Sequence, residues 1–343
     1  MGTSGLRFWQ KGTKTNTKPK PLTHYDYTIG WISILEVELI AALEMLDEEH
    51  NRLPQSPGDQ NVYQLGSIAG QNIVIASLWQ AGNPEAATVV AQMRMTFPNI
   101  RFGLLVGIGG GVPVETEAGM IRLGDVVVSK PMGQYSGTLQ YDGRKARAGQ
   151  LVRTGSLAPP PPALLIAAQS LEANRARKRD DPLITNIQRI DTSIPTLRRF
   201  RYPGADQDFL FPASYHHARA TVSCQESCCD MRQRIPRRSG HGTQRIVVHR
   251  GTIASGELVV KNGEQRDHLG RQCGVLCFEM EAVGALSNFP CLVIRGISDY
   301  CDSHKNDQWH GFASASAAAY ARELLFHLPL EQKCISKNVD RLV

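Results

Sequence analysis

Long apolar runs are missing from this chain of 343 residues. No stretch approaches the roughly 18 consecutive apolar residues that a membrane-spanning helix requires, so no membrane partner is expected. The opening MGTSGLRFWQKGTKTNTKPKP has no apolar segment of the secretory type. Leu6, where Ser or Thr is needed, excludes a myristoylation pattern. The start therefore reads as a disordered basic tail over 1–24, and the protein as cytoplasmic, with the nucleus as the alternative. Aromatic residues are few, at 7%. They are sparse even between 141 and 250, where arginine is dense, which argues against a base-stacking platform and against nucleic acid as a partner.

The net charge of +6 is unevenly spread. Residues 1–24 hold five Lys/Arg and no acid. Residues 141–250 hold 19 Lys/Arg against 9 Asp/Glu, or +10, which leaves −9 for the remainder. The middle segment is either a solvated arginine-rich insertion or an attractor of polyanions such as a nucleotide's phosphates. The eight cysteines, several in apolar strand-like runs, read as reduced core residues. His216, His217, Cys224, Cys228 and Cys229 invite a zinc reading, but their spacing is not a standard pair of ligand pairs. A locally packed or disordered loop is expected there instead, with no metal and no cofactor.

What the chain does have is strands alternating with helices. A buried strand is predicted over 27–34, a helix over 36–50, and a hairpin over 62–78 turning at Ala69-Gly70. A helix over 83–97 follows, capped by Asn83. Strands are expected at 123–129, 246–260, 275–278 and 291–297, and helices at 163–178, 182–199, 264–272, 279–288 and 309–328. The stretch 200–245 loses periodicity. The fold class is α/β: one domain over 25–330 with a central, mostly parallel mixed sheet flanked by helices. A basic insertion occupies about 141–245, and 331–343 is a tail.

Residues 102–113, FGLLVGIGGGVP, read as a strand entering a glycine loop, where a ligand can approach the backbone closely. No helix follows, so it is not a dinucleotide fingerprint, and no Lys-Ser/Thr follows, so it is not a Walker loop. Phe278-Glu279-Met280-Glu281-Ala282 places two acids at a strand-to-helix junction, and the strand after it ends in Ser298-Asp299. Strand ends are where α/β proteins place chemistry. One carboxylate can hold a sugar's hydroxyl pair while another lends a proton.

With GWISILEVE, GIGGGV, LGDVVVS, GTIASG, FEMEA and RGISD in this order, the chain resembles the nucleoside phosphorylase/nucleosidase superfamily over most of 25–328. The closing SDYCDSHKNDQWHGFASASAAAYARELL is similar to the nucleosidase-like domains of fungal NACHT and ankyrin-type immune receptors. The resemblance implies hydrolysis of a purine nucleoside or nucleotide, ATP among the candidates, by a homo-oligomer without a cofactor. It implies Asp299 as general acid steered by Ser298, with burial raising its pKa, and Glu38 as the residue positioning the attacking water. Glu281 and Met280 would grip the ribose beside Glu279 and Phe278. Gly107, Ile108, Gly109 and Gly110 would line the pocket, and Val259 and Val260 would clamp the base. Glu36, where relatives carry Pro, leaves the turn before Glu38 open. Phosphorylases of this kind carry arginines in the strand before the glycines and in the N-terminal loop; here neither has one, which favours water over phosphate. Arg144, Lys145, Arg147 and Arg153 are the candidates for a substrate's phosphates.

Overall fold

The computed structural model of the protein describes residues 21–147, 150–153, 156–219, 222, 224, 226–236 and 245–329, so most of the first tail and all of the last lie outside the described residues. The strands are β1 Ile29–Ser33, β2 Glu48–His50, β3 Tyr63–Ile68, β4 Gln71–Ser77, β5 Phe102–Gly111, β6 Glu115–Thr116, β7 Gly119–Met120, β8 Val126–Ser129, β9 Thr138–Gln140, β10 Arg144–Arg147, β11 Gln150–Arg153, β12 Val248–Ser255, β13 Val275–Glu279 and β14 Cys291–Asp299. The helices are α1 Glu36–Glu44, α2 Asn83–Thr96, α3 Pro162–Arg177, α4 Pro182–Ile187, α5 Gly263–Cys273, α6 Ala282–Asn288 and α7 His310–Leu325. None of these helices is long and apolar enough to cross a membrane.

The main sheet runs β13-β12-β8-β14-β5-β1-β4-β3-β2, with β9 beside β12. Because β13 also pairs with β5, the strands β13, β12, β8, β14 and β5 close into a ring, and β1, β4, β3 and β2 extend from it as a wing. Pairing is parallel along β4-β1-β5-β14 and around β12, and antiparallel for β8–β14, β13–β5 and the wing's outer hairpin. The sheet is thus mixed, as expected. Two-residue alternation divides each central strand between two cores. Trp31, Leu104, Val106, Leu292 and Ile294 face the core shared with α1, α3, α4 and α7. Ile32, Leu105, Val293 and Ile297 face the one shared with α2 and α6. The strands β1 and β14 are buried at every residue, which explains their unbroken apolar runs.

The alanine-rich face of α7 lies directly on β14. A Cβ at Gly296 would collide with the backbone carbonyl of Ala313, so this glycine and the small helix residues set the helix-to-sheet distance. Gly296→Ala should therefore cost about 1–3 kcal/mol or more, the usual penalty for overpacking. The measurement is the urea midpoint, and an unchanged midpoint would mean the helix yields freely.

Several boundaries differ from the sequence reading. The first helix stops at Glu44, and Glu48–His50 becomes an edge strand beside β3. Asn83 does not cap α2 but follows the cap residue Gly82; its side chain donates to Glu257 and accepts from the Gly284 N–H. The predicted helix 182–199 breaks after Ile187 and resumes as a short 3₁₀ turn at Pro195–Phe200. The segment 141–245 is not all insertion. Leu164, Ala168, Leu171, Leu183, Ile190 and Phe200 belong to the α7-side core.

Candidate functional site

A cavity of about 240 Å³ opens at the carboxyl ends of β1, β5, β13 and β14. The structure brings Glu38, Ile108, Gly109, Gly110, Val259, Val260, Phe278, Glu279, Met280, Glu281 and Ser298 together in its lining, although they span 260 residues of sequence. Gly107 lies just behind the wall, and so does Asp299, which is 4% exposed.

The glycine run is not a loop. It is the last part of β5, and its glycines make room for side chains on neighbouring elements. A Cβ at Gly107 would overlap the Glu38 carboxylate and the Arg295 guanidinium, and one at Gly110 would overlap Cys301 and press on Asp299. Glycine here admits the charged groups to the strand's edge.

Glu38 is buried, whereas Glu36 is exposed and pairs with Arg199 at 2.9 Å. The Glu38 carboxylate accepts three backbone N–H groups: Ile34 at 2.7 Å, Leu35 at 2.9 Å and Ile108 at 2.7 Å. Burial pushes its pKa up, more than Arg295 and these N–H donors pull it down. Arg295, 1% exposed, donates to Glu279 at 2.5 Å and to Glu281 at 3.1 Å. Two buried carboxylates thus bond one guanidinium, and a third, Glu38, feels its charge. Burial pushes Glu281 up to about 8; Arg295 opposes this, but Glu279 and Glu38 add to it.

The acidic pair is not on a helix. Glu279 ends β13, Glu281 stands just before α6, and the helix covers only Ala282–Asn288. Glu279 accepts the N–H groups of Glu281 and Ala282, so it starts α6 while holding Arg295. Its oxygens are occupied, and its place is to orient rather than to receive a ligand.

Asp299 departs from the expectation of a raised pKa. Burial does push it up, but the Lys305 ammonium at 2.6 Å, the Cys301 N–H at 2.8 Å and the Ser298 hydroxyl at 3.0 Å outweigh that and hold it below the ordinary carboxylate value. Asp299 is therefore ionised and paired with the charged Lys305.

Sequence reasoning missed Arg295 and Lys305, both in the lining. A signal for Arg295 was present, because one arginine inside the apolar run CLVIRGI must find buried acids. Nothing local marks Lys305. The Val259 and Val260 rim includes Leu258, whose carbonyl accepts the Tyr141 hydroxyl, and Tyr141 packs edge-on against Phe278. Of the phosphate candidates, Arg144 to Arg147 and Gln150 to Arg153 form a separate antiparallel hairpin, β10–β11. Its side chains lie outside what is described. His217, Cys224 and Cys229 converge despite their irregular spacing.

Comparison with known proteins agrees with this architecture. A family model described as Phosphorylase superfamily matches residues 190–326. A protein of Hyaloscypha variabilis named a nucleotide-binding leucine-rich repeat (NLR)-like protein is 40% identical over 301 residues, covering 88% of this chain and 29% of that one. The Escherichia coli protein named ATP nucleosidase Cap17 is 23% identical over 309 residues, covering 86% of this chain and 50% of that one. The chain thus spans half or less of the length of these relatives. Among solved structures, futalosine hydrolase of Helicobacter pylori superposes with a TM-score of 0.55 at 17% identity, covering 89% of this chain and all of the other. The 5'-methylthioadenosine/S-adenosylhomocysteine nucleosidase of Neisseria meningitidis gives 0.56 at 18%, covering 88% and 99%. These likenesses bear on the fold. The segment that matches the phosphorylase superfamily model, residues 190–326, is the one that carries Glu279, Glu281, Arg295 and Asp299.

Proposed function

We propose that this chain hydrolyses the N-glycosidic bond of purine nucleotides, with adenine nucleotides such as ATP as the preferred substrates, to free base and ribose phosphate. The observation that carries the reading is one cavity lined by Glu38, Glu281, Arg295 and Lys305, with Lys305 bonded to the buried Asp299. Glycosidic cleavage passes through an oxocarbenium-like state and needs a base on one side and a proton donor on the other.

Glu38 holds the attacking water, and burial makes it a stronger base than an exposed glutamate. Glu281 accepts the ribose hydroxyls, Met280 packs on the sugar, and Phe278, Val259 and Val260 bound the base. As the C1'–N9 bond breaks, its electron pair moves into the purine, and N7 takes a proton from Asp299. The water's oxygen bonds to C1', and its proton passes to Glu38. Because Asp299 is ionised, it must take up a proton before it can give one to the purine. The Lys305 ammonium, 2.6 Å away, is the nearest store. Ser298 fixes the carboxyl's direction.

Water is favoured over phosphate as nucleophile because Arg295 is already committed to carboxylates. The other lysine or arginine in the lining, Lys305, is engaged by Asp299. Reaction in ¹⁸O-labelled water should place the label on the sugar's C1 hydroxyl at the same rate with and without phosphate. Ribose 1-phosphate formation would make the chain a phosphorylase, and tight purine binding without turnover would make it a sensor.

The preference for nucleotides rests on charge and room. The cavity is smaller than the roughly 300–1,000 Å³ of sites for drug-sized ligands, so base and sugar fill it and phosphates project past the rim. Arg144, Lys145, Arg147 and Arg153 on the β10–β11 hairpin are the basic residues proposed to meet them. ATP turnover should then exceed adenosine turnover, and the gap should narrow as salt rises, because exposed charges are screened within about 8 Å at physiological ionic strength. Charge reversal of the four should raise KM for ATP and spare adenosine. Equal handling of both substrates at low and high salt would return the hairpin to a solvated surface role. The likeness to a fungal protein named NLR-like fits an effector that depletes nucleotide.

A further inference from the structure

Outside the cavity, the stretch between α4 and β12 packs on the loop that follows β14. His217, Cys224 and Cys229 each bring one ligand atom to within 4.8 Å of the others. The Cys229 N–H donates to the Cys224 carbonyl at 2.9 Å, which ties the two cysteines into one turn. The His217 N–H donates to the Ser303 hydroxyl at 2.8 Å, which joins that turn to the loop carrying Lys305.

A second observation comes from the loop itself. His304 is 7% exposed, and neither of its ring nitrogens has a hydrogen-bond partner among the described residues. Its ring stacks on Phe211 at 4.0 Å and meets the His217 ring edge-on at 5.3 Å. A buried imidazole with both nitrogens unused is costly, and such groups call for a missing partner. Asp302 lies 3.8 Å from His304 Nδ1, beyond hydrogen-bond range.

We propose that His217, Cys224, Cys229 and His304 form a structural zinc site that clips His217 and the two cysteines onto the loop at Asp302–Lys305. Two thiolates and two imidazoles suit tetrahedral zinc, whose bond lengths of about 2.0–2.3 Å place ligand atoms roughly 3.3–3.8 Å apart. His217, Cys224 and Cys229 need to tighten by about an ångström to reach that, and His304, whose nitrogens lie outside that group, must move in to join them. On binding, the two thiols release their protons to solvent and the metal satisfies one nitrogen of each imidazole. The site touches no substrate. Its consequence is positional, because the loop it anchors holds Lys305 against Asp299. The ligands fall as one histidine, two cysteines and a second histidine 75 positions beyond Cys229, a spacing no local motif announces.

The test uses the full chain purified without a histidine tag. Elemental analysis should find about one zinc per chain. Cobalt substituted for zinc should show thiolate charge transfer and the visible bands of a tetrahedral centre. Cys224→Ser with Cys229→Ser should lose the metal, while Cys228→Ser, at an exposed neighbour outside the cluster, should keep it. His304→Phe, which preserves the ring stack, should weaken zinc by about tenfold or more. The cobalt spectrum of the unmutated chain decides the matter even if the double variant fails to fold. The proposal is overturned by a chain that takes up no zinc when zinc is supplied, by a Cys224–Cys229 disulfide in its mass spectrum, or by a cobalt spectrum without thiolate bands. Unchanged zinc affinity in His304→Phe overturns the four-ligand set.

Discussion

Asp299→Asn is expected to lower turnover by about 10²–10⁴-fold, the usual contribution of a general acid, while the chain still binds purine. The substitution keeps the shape of the side chain and removes the group that can give a carboxylic proton. Its neighbours explain why the effect should fall on turnover. The Cys301 N–H and Ser298 hydroxyl aim the carboxyl, and Lys305 keeps it ionised until substrate arrives. The single amide oxygen of asparagine can still accept from the Cys301 N–H, and its NH2 can donate to the Ser298 hydroxyl, so the β14 terminus should hold its form. Steady-state kinetics and ligand binding on the same preparation separate the two effects. Turnover within a few-fold of the unmutated chain would remove Asp299 from the mechanism.

Arg295→Met should have the largest effect on stability. Arg295 is the cation bonded to Glu279 and Glu281, and Glu38 also feels its charge, all at buried positions. Removing one partner from such a cluster leaves uncompensated charge and costs about 3–5 kcal/mol. The sign of the pH dependence follows from Glu281. Its pKa is already raised from 4.5 to about 8 in the fold, so the stability it contributes is present below 4.5 and lost as pH rises through about 8. Without Arg295 the pKa rises further, so the two chains lose stability alike up to about pH 8 and only the variant goes on losing it above; its deficit should therefore be larger at about pH 9 than at about pH 6. Urea melts at both pH values give the answer. A deficit under about 1 kcal/mol, or one independent of pH, would show that the carboxylates do not depend on this arginine.

Much of the site could be read from residue order alone. FEMEA and RGISD are short and contiguous, and their strand-end placement follows from the apolar runs beside them. Glu281, Ser298 and Asp299 were therefore legible. Glu38 was legible only through resemblance, since Glu36 is equally acidic and two positions away. The fold separates them by burying one and exposing the other. The glycine run was misread as a loop because glycine is common in turns. In the sheet it stays extended, since β14 and β13 pair with it on its two sides.

Local pattern determined where the strands and most of the helices lie, because apolar periodicity and turn chemistry act over a few residues. It also determined the uneven charge and the acid-rich motifs. Protonation and pairing were decided only by the tertiary structure. Asp299 was expected to rise with burial alone, and a lysine six positions later, folded back to 2.6 Å, reverses the direction. Arg295 meets Glu279 and Glu281 because β13 and β14 both run beside β5. His217 and His304 lie 87 residues apart and touch edge to ring. Electrostatic energies depend on distance and burial in space, and residue order carries neither until the chain has folded.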